Sequence, residues 1–458
     1  MLSWPPSYAR VATLACLLVS CGRTGLQLAS PPDPDDGGRP ALGDAGRDAG
    51  AEPDAGDPDA GLPPLPPCGA DVSVGEERFR VPGLAGAPVF GDDGTLYAPM
   101  LNDDDRSIDL AAYARCTGEE LWRQPAIGPA SPTAVRYPSV RRTSADDLVL
   151  VNTEGFFGAY GIFRFNEAGE RQPDYELRSR INGFYAIPRG AGPVLRELEE
   201  LERRTVTFDV DGRRTGTWPF DAAPQEECGA TRDALYCFDV AYRLATGEEL
   251  WRREGGELID GVIRKVVGPA LADGRAYVVL YGISAYDFVA VELETGRLVF
   301  RVPLMRTTQG QADLRIGRPV VGEDGTVYVY AHGTRTGAPP PGRLTAFDPD
   351  GSERWVFGAP ATSRAFFVHD THLVGDAGLV YLAIGEAVSA VEAATGALRW
   401  RLAVPERVDT AHVTLSRAGD LAVRTNDDQL IVIATESRGL ARSPWPAPAG
   451  SVRQANDR

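Results

Sequence analysis

The sequence predicts an all-β chain closed into an eight-bladed β-propeller, with seven blades as the alternative. Three observations carry this. A turn-and-strand phrase recurs: Cys116-Thr117-Gly118-Glu119-Glu120-Leu121-Trp122-Arg123 is repeated almost unchanged at Ala245–Arg252. Looser copies lie at Leu293–Arg301 and Ala393–Arg401, and Pro349–Trp355 keeps the glycine and the tryptophan. A second phrase, Asp-Gly followed by a β-rich run with Tyr, comes before copies of the first: Asp93–Tyr97, Asp273–Val279, Asp324–Tyr330 and the variant Ala377–Tyr381. Residues 68–446, divided by a repeat of about 47 residues, give eight units, whereas about 54 would give seven.

Each phrase has a physical reading. Glycine in Thr-Gly accepts positive φ at a hairpin turn without a Cβ clash. Residues after it alternate along a strand, so Leu250 and Trp251 point to opposite faces. Both faces then need apolar cover, and a single repeat cannot bury both alone. Asp-Gly marks a turn and the following run marks a strand. Eight such strands, read as the inner strands of the blades, lie near Leu96, Leu148, Leu195, Leu235, Ala276, Val327, Val380 and Leu421. The second and third blades are degenerate, at Asp146–Val151 and Thr205–Gly212. The spacing of Leu195, Leu198 and Leu201 also allows a short helix over Arg196–Arg204. The fourth blade is compressed between Tyr236 and Trp251.

Asp-Gly-x-x-Tyr followed by Thr-Gly-x-x-x-Trp resembles the PQQ-like repeat. That repeat builds the propellers of quinoprotein alcohol dehydrogenases and of the lipoprotein subunit of the outer-membrane β-barrel assembly machine. The resemblance spans about residues 70–446. It implies the fold, and the repeat itself implies no activity, because it builds blades and not a site.

A ring must hide its first and last edges. Gly75–Val81 repeats the end of the first phrase with no inner strand before it, so it is expected as an outer strand of the last blade, beside Leu421–Ala434. Ser443-Pro444-Trp445-Pro446 resembles the closing phrase of the family, and 447–458 reads as a loose tail.

Residues 1–20 read as a signal peptide. Arg10 is its one charge, and the apolar run Val11–Val19 is too short to span a bilayer. Leu18-Val19-Ser20-Cys21 looks like a lipobox, with Cys21 as the acylated first residue of the mature chain; Gly22 after it favours the outer membrane by resemblance to other lipoproteins. Residues 21–67 form a lipidated linker of Asp, Ala, Gly and Pro. Its composition predicts disorder. As polyproline II it reaches on the order of 140 Å, and as a coil roughly 40 Å.

The chain carries a formal charge of −17. An acidic body argues against nucleic acid and anionic headgroups as partners. Of six cysteines, Cys16 leaves with the leader and Cys21 is the lipid site. An even set remains, Cys68, Cys116, Cys228 and Cys237, which in an exported chain predicts disulfides. Cys228 with Cys237 is the natural local pair, leaving Cys68 with Cys116. A four-thiolate metal site is the rival, although no Cys-x-x-Cys supports it.

Quinoprotein dehydrogenases carry adjacent cysteines and a calcium beside the quinone, and this chain has no adjacent cysteines. Asp103-Asp104-Asp105 and Asp348–Glu353 have oxygens for calcium but read as Asp-rich turns. His369-Asp370-Thr371-His372 lacks a third and fourth ligand and reads as a surface loop. No catalytic constellation, cofactor motif or metal set emerges. The series Trp122, Trp251, Trp355 and Trp400 reads as inter-blade packing. The resulting expectation is a monomeric, non-enzymatic outer-membrane lipoprotein that acts as a protein–protein scaffold for envelope partners. A carbohydrate, peptidoglycan or small-ligand module is the alternative, with a quinone-linked dehydrogenase third.

Overall fold

The structure, a computed structural model, describes residues 65–447 other than 67, 69–71, 103–106, 128–137, 143–146, 153–160, 176, 178–179, 187–191, 200–201, 210, 220–227, 232, 254–264, 282–284, 307–313, 334–341, 360–370, 409–412 and 426. Residues 1–64, which include the expected leader, Cys21 and most of the expected linker, and residues 448–458 lie outside the described residues. So do Asp103, Asp104, Asp105, His369 and Asp370.

The described residues are all β and form eight sheets. Blade one comprises Val89–Phe90, Leu96–Leu101, Ile108–Tyr113 and Glu120–Ile127. Blade two follows with Ser139–Arg142, Leu148–Asn152, Gly161–Phe165 and Arg171–Gln172. Blade three is Arg180–Ala186, Val194–Glu199, Glu202–Phe208 and Arg214–Pro219. The compressed blade four is Gly229–Ala230, Ala234–Tyr236, Val240–Arg243 and Glu249–Arg252. Blade five is Lys265–Ala272, Arg275–Tyr281, Ala285–Glu292 and Leu298–Arg306. In blade six, Leu314–Ile316 and Val320–Val321 share the first position, before Val327–Gly333, Gly342–Phe347 and Glu353–Ala359. Blade seven has His372–Gly375, Leu379–Glu392 and Leu398–Val408. Its long middle strand folds back on itself, since the Ala393 N–H donates to the Gly378 carbonyl. Blade eight contains Val413–Leu415, Asp420–Arg424, Gln429–Ala434 and, from the other end of the chain, Glu77–Pro82.

Two expectations are corrected here. The strands near Leu96 through Leu421 are second strands, because a first strand lies inside each. First strands approach one another between blades one and two and from blade three round to blade eight, and that of blade eight meets that of blade one. The helix at Arg196–Arg204 does not form. Leu195 and Val206 face each other across an antiparallel pair and both are fully buried. Cross-strand burial and the β-branched and aromatic run Thr205–Phe208 outweigh a spacing of three.

Both sheet faces are covered. Tyr277 and Val278 point to opposite faces of blade five, and neither is exposed. Tyr277 joins the cluster of Phe288, Val327 and Phe347, and Val278 the cluster of Phe238, Val266 and Val289. The core is therefore a set of slabs between blades.

The two recurring phrases meet in this packing. The strand-two tyrosine lies against the strand-four aromatic of its own blade: Tyr97 and Trp122 have ring centroids 5.9 Å apart, Tyr328 and Trp355 5.7 Å, Tyr381 and Trp400 5.9 Å. The same strand-four aromatic covers the turn glycine of the next blade. Trp122 lies over Gly169, Trp218 over Gly247, Trp251 over Gly296, Phe300 over Gly351 and Trp355 over Gly396. A Cβ at Gly296 would come within 2.6 Å of the Trp251 ring, so only glycine fits there. Indole N–H groups then donate to the carbonyls of Glu167 (from Trp122), Leu293 (from Trp251, 2.7 Å) and Ala393 (from Trp355, 2.9 Å). At the degenerate junction, blade two has a fourth strand of only two residues, and Arg164 together with Tyr175 from beyond that strand lies over Gly212.

Both ends of the chain close the ring. Glu77–Pro82 pairs with Gln429–Ala434, as the edge argument predicts. Gly75 takes the place of a turn glycine under Trp400, its N–H donating to the Ala434 carbonyl. At the other end, Ser437–Ala447 forms a strap. Ser437 bonds the Tyr381 hydroxyl, Val374 N–H donates to the Pro446 carbonyl and Val321 N–H to the Trp445 carbonyl. Trp445 is buried with core residues of blades five and six. Ala447, expected as the start of a loose tail, is fully buried.

Candidate functional site

Strand direction gives the ring two unlike ends. Turns between first and second strands, and between third and fourth, all lie at one end. This is the end of the Asp-Gly and Thr-Gly turns, and arginines knit it across blades. Arg142, 2% exposed, reaches Asp92 of blade one at 2.8 Å and Glu167 of its own blade at 2.5 Å. Arg354 joins the two turns of blade six through Asp324 and Asp348. Arg275 donates to the Pro349 carbonyl of blade six. The Arg417 Nε of blade eight donates to the Asp92 carbonyl of blade one.

The seam has the most deeply buried of these sites. Asp420 has no exposed side-chain surface. Its Oδ1 accepts from Arg78 Nε at 2.9 Å and its Oδ2 from Arg115 Nε at 2.8 Å. Arg78 belongs to the N-terminal strand and Arg115 to a blade-one turn, so one carboxylate holds three parts of the chain.

Tyrosines in the blade cores are kept in the neutral form. Desolvation dominates at Tyr113, whose phenol is pushed up to about 12, with Arg123 opposing the shift. Burial likewise raises Tyr97, Tyr175, Tyr328 and Tyr330 well above the ordinary phenol value.

The predicted site residues fall as follows. Cys68 is bonded to Cys116 and Cys228 to Cys237, so these four sulfurs are not metal ligands. Asp348 and Asp350 make local bonds: Ser352 N–H donates to Asp350 at 2.9 Å, and Arg354 Nε to Asp348 at 2.8 Å. His372, expected in a surface loop, is instead fully buried at the start of blade seven. Its Nε2 lies 3.1 Å from the Tyr328 carbonyl and its Nδ1 3.2 Å from Thr371 Oγ1, which anchors the strand to blade six. Among the described residues, no group of three or more His, Cys, Asp or Glu is placed to hold a metal. The Asp420 seam was missed by sequence reasoning. Its only signal was the isolated outer strand Gly75–Val81, which had to find a partner far along the chain.

These features define a class: a closed eight-bladed β-propeller. A family model described as outer membrane protein assembly factor BamB matches residues 340–442, from blade six to the strap. Among solved structures, the V. cholerae biofilm matrix protein Bap1 is similar at 10% identity, with a TM-score of 0.49, covering 83% of this chain and 96% of that chain. No curated protein matches the sequence.

Proposed function

We propose that this propeller is a docking platform for proteins of the cell envelope, held at the outer membrane by an acylated Cys21 and the linker behind it. The observation that carries the reading is the asymmetry of the ring. The turn end is braced by inter-blade arginines and the C-terminal strap. The segments joining second to third strands, and each blade to the next, begin and finish at the opposite end. Recognition elements are commonly loops carried on a rigid scaffold, and a propeller end offers a broad face for a large partner. The match to a model described as an outer membrane assembly factor agrees with this role, and so does the leader-like stretch 1–20 before Cys21. A lipid anchor with a long tether would raise the local concentration of the platform near such partners.

The test is crosslinking and affinity capture of the full-length protein from its own envelope. The same preparation is assayed for bound calcium, quinone and dye-linked alcohol oxidation. Stoichiometric capture of one envelope protein is the expected result. Quinone-dependent turnover with stoichiometric calcium would defeat the scaffold reading in favour of a dehydrogenase.

A further inference from the structure

The two disulfides differ in exposure and in what they join. Cys228 and Cys237 are 5% and 2% exposed and lie within the core cluster of blade four. They flank an antiparallel pair in which Gly229 faces Tyr236 and Ala230 faces Leu235, so the bond joins neighbouring strands of one sheet. Cys116 is exposed on a turn of blade one, and Cys68 is half-buried. Their bond ties the lead-in of the outer strand of blade eight to blade one. The chain around Cys68 rests on blade one: Leu65 lies against Gly94, and the Pro66 carbonyl accepts from Arg115 Nη1 at 2.9 Å. A few residues later the same chain completes blade eight as Glu77–Pro82.

That outer strand is an edge strand with one backbone neighbour, Gln429–Ala434. A strand with a single backbone neighbour has fewer contacts to lose, and local unfolding draws on such elements. The Cys68–Cys116 bond fixes its lead-in on the far side of the seam, and only residues 69–76 separate the bond from the strand.

We propose that Cys68–Cys116 is a redox latch on the ring seam. Oxidised, it confines Glu77–Pro82 to blade eight. Reduced by a dithiol, it lets that strand leave while the other blades stay folded. A reductant thiolate attacks the accessible Cys116 sulfur, forming a mixed disulfide and expelling the Cys68 thiolate, which takes up a proton. The second reductant thiol then displaces Cys116. The protein disulfide gains two electrons, and the dithiol is oxidised to its own disulfide. The buried pair of blade four offers no comparable access.

The experiment titrates the purified full chain with dithiothreitol, alkylates and maps the freed thiols, and follows amide hydrogen exchange. Cys68 and Cys116 are expected to be labelled first. Exchange at residues 77–81 should then rise roughly a hundredfold or more, from the loop-closure entropy released, while 278–280 and 289–291 in blade five stay unchanged. A Cys68→Ser/Cys116→Ser variant should show the raised exchange without reductant. Labelling of Cys228 and Cys237 at the same dose would overturn the proposal. So would an opened latch with unchanged exchange at 77–81, or a double variant that loses all blades together.

Discussion

Replacing Asp420 with Ala tests how the seam is held. The carboxylate is fully buried, while Arg78 and Arg115 are 13% and 10% exposed in their side chains. Alanine would leave two nearly buried guanidinium groups without their shared partner. Removing one member of a buried ion pair typically costs about 3–5 kcal/mol, and most of that is the uncompensated charge left behind. The Ser416 hydroxyl adds little: it is 3.3 Å from Asp420 Oδ2. A loss of about 3–5 kcal/mol is therefore expected in urea unfolding, read as a lower midpoint at unchanged slope. Exchange should rise at 77–81 and around residue 115 before it rises in blade five. The decisive control is the triple variant Arg78→Met, Arg115→Met, Asp420→Leu, which removes every charge at the site. It should recover most of the loss, because apolar replacement of buried ion pairs is often neutral or stabilising. An Asp420→Ala cost under about 1 kcal/mol, or a triple variant no better than the single, would refute the electrostatic account.

The turn glycines provide a paired test within blade five. Gly296→Ala places a methyl against the Trp251 ring at φ +70, and is expected to cost about 2–4 kcal/mol; Gly274→Ala has the same φ with nothing within 4 Å, and should cost only about 1. Trp251→Ala removes a half-buried ring and the indole bond to Leu293, and should lower the thermal midpoint and cost about 3 kcal/mol. Alkaline stability depends on the buried phenols. Tyr113 titrates near 12 folded against about 10 unfolded, so its contribution is complete below pH 10 and is lost as pH rises towards 12. Tyrosinate absorbance followed with circular dichroism should show buried phenols ionising together with unfolding, and early ionisation of all of them in a folded chain would contradict the burial. Cys21→Ser should release the protein from membrane fractions, and unchanged fractionation would remove the lipid anchor from the functional reading.

Much of the fold was legible because one physical unit repeats. Thr-Gly-Glu-Glu-Leu-Trp encodes a turn and the aromatic that covers the next turn, so every good copy announces a junction. The phrase failed at blade two, where Arg171–Gln172 is too short to present an aromatic and Arg164 with Tyr175 covers the next turn instead. It also hid the first strands. Val89–Phe90 and Gly229–Ala230 are two residues long and carry no pattern of their own; they are strands only because a second strand templates them. His372 was misread because a His-Asp-Thr-His string looks polar in sequence, while burial is decided by the neighbouring blade. Asp420 was invisible for a related reason. Its partners Arg78 and Arg115 are more than 300 positions away, and no local spacing reports an ion pair of that range. The candidate recognition end was legible only as connectivity, since a propeller fixes where its connections emerge and not what they bind.

The shared eighth blade also sets an order of events. Glu77–Pro82 is among the first parts of the ring to be synthesised, but its neighbour Gln429–Ala434 is among the last. The Arg80–Gln429 contact spans 349 positions. Pairings of that range pay their loop-closure entropy before any contact rewards it, which makes them slow. Seven blades can assemble from sequential hairpins as the chain emerges, whereas the eighth must wait for the whole chain. Until then the nascent propeller is an open arc with two unsatisfied edges, the species most exposed to aggregation. Protection of the 77–81 amides should accordingly be the last backbone signal to appear in pulse-labelled refolding.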